Sequence, residues 1–97
     1  MTAASFYRGG SSLQLRPGEA RVDPATGLER TTHGISVFDR PDNLDRFGGA
    51  HEVVSLPDKL RIIQRGRDPH HFEIVPAVPI PLAEYEEALR QIVLAAV

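Results

Sequence analysis

Arg8, Ser36, His71 and Glu73 are the residues of this 97-residue chain whose types and settings best suit chemistry. Arg8 closes the run FYRGG, and a fixed cation beside a Gly-Gly turn with open amides suits an anionic ligand, although a strand-end arginine is more often simply solvated. In HGISVF, Ser36 and Phe38 fall on one face of a short strand while Ile35 and Val37 turn to the core. No Gly-x-Ser-x-Gly elbow surrounds Ser36, so it is expected to hydrogen-bond a ligand or fix a neighbouring strand rather than attack. In HHFEIVPA the same alternation sends Phe72 and Ile74 inward and leaves His71 and Glu73 adjacent on the opposite face. Such a pair serves acid/base work or, more plainly, a cross-strand polar contact. Gln64 ends an apolar run as a rim contact or a solvated side chain, and Arg61, Arg65 and Arg67 read as a solvated basic edge.

Other chemistries are excluded by what the chain lacks. There is no cysteine, so disulfides, thiol nucleophiles and cysteine-bound metals are out, and a reducing cytoplasm is the expected compartment. The four histidines do not make a metal motif: His33 and His51 are far apart, His70 and His71 point to opposite faces, and no His-Glu-x-x-His spacing occurs. No metal is expected. A net charge of −2 gives no electrostatic case for nucleic acid or an anionic membrane. The start MTAASFYRGG lacks a leader pattern, and no stretch approaches twenty apolar residues.

These residues need a scaffold, and the length allows one domain spanning residues 1–97. A first strand is expected from Ser5 to Arg8, with Phe6 and Arg8 on one face and Tyr7 on the other, stopped by Gly9-Gly10. RPGEA and DPATG mark an irregular connection, with a short strand around Ala20 to Val22. After the strand Ile35 to Phe38, DRPDNLDRF suggests one or two helical turns ended by Gly48-Gly49. HEVVSLPDKLRIIQRG gives two β-rich runs around Pro57-Asp58, and HHFEIVPAVP a third. Pro81 opens a helix carrying Leu82, Tyr85, Leu89, Ile92, Val93 and Ala96 at helical spacing. The expected class is α+β, largely antiparallel, with a C-terminal helix.

The order of three segments also carries a resemblance. GISVFDR, then LPDKLRIIQ, then HFEIVPAVP are similar to the ordered motifs of the ADP-ribosyltransferase-fold toxins typified by the second exported effector of a type VI secretion system. FYRGG resembles the first-strand tyrosine-arginine of the wider superfamily. The likeness covers about half the chain closely, from Gly34 to Pro79, and three ordered motifs are far more specific than one. The chain is shorter than usual members, and Glu73 stands where that toxin has a neutral residue, although a carboxylate there resembles the superfamily's catalytic glutamate.

The resemblance implies a small split β-sandwich with an NAD cleft between its sheets. In that cleft Glu73 would stabilise positive charge on the ribose as the nicotinamide bond breaks, Arg8 would hold a phosphate or ribose, and Ser36 would bind the ribose edge. Tyr7 or Phe38 would stack on nicotinamide, His33 and His71 would orient ribose hydroxyls, and Gly34 and Gln64 belong to the matching motifs. It further implies a bacterial toxin acting through NAD on an intracellular target and silenced by a cognate antitoxin or immunity protein. Competing expectations are a non-catalytic binding module on the same fold and an RNA 2′-phosphotransferase, the latter disfavoured by the net charge.

Overall fold

Alternation of apolar and polar residues in ISVF and HFEIV drives the central pairing of the chain. The computed structural model describes residues 5–97; the opening segment MTAASFYRGG falls partly on residues 1–4, outside them. Strands β3 (Ile35–Phe38) and β6 (His71–Pro76) run antiparallel, with Ile35 opposite Ile74, Ser36 opposite Glu73, Val37 opposite Phe72 and Phe38 opposite His71. Directly opposed residues share a face, so this register collects Ser36, Phe38, His71 and Glu73 on one side and the apolar residues on the other.

Four further strands extend the sheet: β1 (Tyr7–Gly9), β4 (Ala50–Ser55), β5 (Leu60–Gln64) and β8 (Val93–Ala96). The order is β5-β6-β3-β1-β4-β8, with every neighbouring pair antiparallel. Strands β2 (Leu28–Glu29) and β7 (Ile80–Pro81) form a separate antiparallel ribbon. The one α-helix among the described residues, α1 (Leu82–Arg90), lays Tyr85, Ala88 and Leu89 on the sheet, where they join Ile35, Val37, Leu60, Ile74 and Ile92 in the core. The α+β, mostly antiparallel class expected from the sequence is what the chain forms.

Tyr85 ties helix to sheet with polar bonds as well as apolar area. Its hydroxyl donates to the Ile74 carbonyl at 2.6 Å and accepts from the Ile35 amide at 3.1 Å, which satisfies both groups where they are buried. Burial pushes its phenol far above the ordinary range. Gly34 lies in the same corner, and a Cβ there would collide with the Ile74 carbonyl oxygen and the Tyr85 hydroxyl. Only glycine lets the backbone approach so closely.

Three expectations are corrected. The helix stops at Arg90, and Val93–Ala96 form β8 against β4, because Val93 is β-branched and the segment supplies the backbone partners that β4 would otherwise lack. DRPDNLDRF makes only a 3-10 turn, Asp45–Phe47, closed by Gly48 in the left-handed region at φ 98°. The strand near Ala20 to Val22 reduces to one bridge between Val22 and Glu29. Among the described residues no helix is long and apolar enough to cross a membrane.

Candidate functional site

Strands β1 and β3 are joined by a single residue pair, Tyr7 with Phe38, and beyond it they part. Arg8 and Glu19 fill the gap. The Ser36 amide donates to Glu19 Oε2 at 2.8 Å, and the Ser36 carbonyl accepts from Arg8 Nη1 at 2.8 Å. Side chains thus take the place that β1 would hold in a continuous ladder. Arg8 is fully buried, and its remaining N–H groups go to Glu19 Oε2 (2.9 Å) and Oε1 (3.3 Å), the Ser12 carbonyl (3.2 Å) and the Gln14 carbonyl (3.3 Å). A guanidinium has five N–H donors, so none is left over. Direct contact of Arg8 with a phosphate or ribose therefore does not occur in this arrangement.

Glu19 accepts a further bond from the Arg16 amide at 2.7 Å. Burial alone would raise its carboxyl, but the bonds from Arg8 and from the Ser36 and Arg16 amides outweigh that and hold it below the ordinary carboxylate range. The Gly10 amide is not open either, since it donates to the Gly49 carbonyl, and both glycines lie so close to Phe47 that a Cβ on either would clash with it.

On the polar face of β3 and β6 the side chains form one chain of hydrogen bonds. His71 Nδ1 faces the Arg65 carbonyl at 2.7 Å, an oxygen that can only accept, so this nitrogen carries the proton. His71 Nε2 is then free to accept from Ser36 Oγ, 3.1 Å away, and Glu73 Oε2 stands 3.9 Å from the same nitrogen. Glu73 is itself anchored, with Oε1 on the Gly34 amide and Oε2 on Arg65 Nη1, each at 2.9 Å. Arg65 Nη2 also donates to His33 Nε2 at 2.7 Å, while His33 Nδ1 lies 2.8 Å from Thr32 Oγ1. Burial, and then the charge of Arg65, hold the His33 ring below its usual pKa, so it is neutral and receives that bond.

A cavity of about 250 Å³ opens over this network, lined by Gly9, Arg16, Pro17, Glu19, Ser36, Phe38, Phe47 and His71. A neighbouring one of about 230 Å³, which includes Arg40, Asp42, Arg46 and His70, shares the walls Phe38 and Phe47. A larger cavity, about 850 Å³, lies between the Ser12–Leu15 segment and α1 and touches none of the candidate residues. The chemistry therefore points to the smaller, paired cavities.

Of the residues singled out in the sequence, Ser36, Phe38 and His71 form the cavity wall, and Glu73, Gly34 and His33 stand behind it in the network. Tyr7 sits opposite Phe38 without lining the cavity. Gln64 is spent locally, donating to the Gly66 and Asp68 carbonyls at 3.1 Å each to close the β5–β6 turn. Sequence reasoning missed Glu19, Arg65, Arg16 and Phe47. Glu19 lies inside RPGEA, which reads as a turn, and Arg65 lies in what reads as a solvated edge, so neither carried a signal of partnership.

Comparison with protein-family models, curated proteins and solved structures returns no match.

The arrangement itself has defined capabilities. Ser36 Oγ and His71 Nε2 make a hydroxyl-base pair at an aromatic-walled cavity, with a carboxylate close behind. Such a site can hold a sugar edge, oppose positive charge developing on it and accept a proton from an attacking group.

Proposed function

We propose that the chain is a bacterial toxin of the ADP-ribosyltransferase type, which uses NAD to modify an intracellular target and is neutralised by a cognate antitoxin or immunity protein. One observation carries the reading: the register of β3 with β6 brings Ser36 and His71, from two separate sequence motifs, to the wall of one cavity where β1 and β3 part, with Glu73 behind them opposite Ser36. That parting leaves β5-β6-β3 and β1-β4-β8 as two halves joined at one pair, which supports the split-sandwich reading.

The chemistry assigned to the residues is as follows. Heterolysis of the bond between nicotinamide and ribose sends the electron pair to nicotinamide and leaves an oxocarbenium-like ribose. Glu73 and Ser36 Oγ supply the negative and dipolar field beside it, and Phe38 offers a face to the leaving ring. An acceptor oxygen or nitrogen, or water, attacks the ribose carbon and passes its proton to His71 Nε2. Glu73 does not line the cavity, so it acts by holding the Gly34 amide and Arg65 in place and by its charge.

The saturation of Arg8 favours a second reading, a non-catalytic binding toxin on the same scaffold. Growth after induction separates them. The enzyme reading predicts arrest by the wild-type chain and escape by Ser36→Ala and Glu73→Gln at equal expression; arrest by all three would establish the binding reading instead.

A further inference from the structure

If the ligand is a dinucleotide, something must hold its two phosphates, and Arg8 has no donor left to do so. Two other arginines are placed for the task. The guanidinium carbon of Arg16 lies 5.0 Å from the centroid of the Phe47 ring, and that of Arg46 lies 4.8 Å from the same centroid. Whatever faces they take, the two guanidinium groups are within about 10 Å of each other. Arg16 lines the cavity over Ser36 and His71, Arg46 lines the neighbouring cavity, and Phe47 is a wall of both. The pair therefore straddles the ridge between the two compartments.

Their donors are also largely unspent. Arg16 gives one N–H to the Gly9 carbonyl at 2.6 Å, and Arg46 makes no hydrogen bond among the described residues. Stacking on an aromatic ring fixes a guanidinium plane while leaving its edge N–H groups outward, the geometry used for phosphate oxygens. Arg40, in the second cavity, sets its Nη2 against His70 Nε2. The acids there, Asp42 and Asp68, suit ribose hydroxyls and not phosphates. Burial, and then the charge of Arg8, hold Arg16 below its usual pKa against the opposing pull of Glu19.

We infer that Arg16 and Arg46, stacked on Phe47, form a diphosphate cradle that places one half of a dinucleotide over Ser36 and His71 and the other half in the Arg46 compartment. The cradle rests on the NAD reading for its natural ligand, but a nucleoside diphosphate alone should occupy it.

The test is calorimetric titration of ADP into the wild-type chain, Arg16→Gln, Arg46→Gln and Arg46→Lys, beside nicotinamide release from NAD by the same proteins. Arg46 makes no hydrogen bond that folding would miss, so Arg46→Gln keeps the test valid if Arg16→Gln does not fold. ADP binding weakened at least tenfold by each glutamine variant, with only partial recovery in Arg46→Lys, is the expected result. Absence of ADP binding to the wild type, or affinity within twofold in Arg46→Gln, overturns the cradle. Arginine-dependent ADP binding without nicotinamide release would keep the cradle and remove the NAD reading. Full nicotinamide release by both glutamine variants would do the reverse.

Discussion

Arg8 and Glu19 form the pair on which the site's geometry most depends. Both are buried, with 0% and 9% of their side chains exposed, so removing one charge strands the other in a poor solvent. Glu19→Gln is expected to cost about 3 kcal/mol, read as a shifted denaturant midpoint. The same carboxylate gives a pH signature. Its folded-state pKa is depressed, so the stability it contributes is present above the unfolded value and is lost as pH falls through the lower folded value. Glu29 works in the opposite sense. It is fully buried, its Oε1 accepts from the Arg21 amide, its Oε2 has no partner, and burial raises its pKa. Its stability contribution is therefore full in acid and lost as pH rises through the raised folded value. Melting curves from pH 3 to 8 should show Glu29→Gln stabilised most at the alkaline end, and Glu19→Gln without the wild type's acid loss. At this scale the sequence was only half legible. Alternation placed Ser36, His71 and Glu73 correctly, whereas Arg8's partner lies eleven residues away in an irregular segment where no periodicity reports contacts.

The elements hold these residues through backbone register more than through side-chain choice. Because β3 and β6 pair residue for residue, a single slip would send Ser36 and Glu73 to the core face, and the Tyr85–Gly34 corner is what pins the register. Tyr85→Phe leaves the Ile74 carbonyl and Ile35 amide buried without a partner and should destabilise by about 2 kcal/mol in chemical denaturation, with little change in core volume. An unchanged midpoint would show that the hydroxyl is not needed there. The two strands were readable from ISVF and HFEIV because each buries one face. The end of the helix was not: Ile92, Val93 and Ala96 fit a helical period as well as they fit a strand, and only the open edge of β4 decides for β8. Likewise RPGEA shows turn chemistry plainly but not that the segment folds back to place Glu19 between β1 and β3.

Across the whole molecule, the sheet is nearly two sheets, joined at Tyr7 and Phe38 and wedged apart by a buried ion pair, with the polar network and both cavities beside the wedge. A net charge of −2 with arginines gathered at Phe47 suits a small anionic ligand rather than a polyanion. The measurement that bears most directly on the proposed NAD chemistry is nicotinamide release from NAD by the purified chain, compared with Ser36→Ala and His71→Gln. Release by the wild type that falls about 100-fold or more in both variants, with their melting temperatures retained, is the expected outcome. No release above the protein-free blank, or equal release by all three proteins, would contradict it.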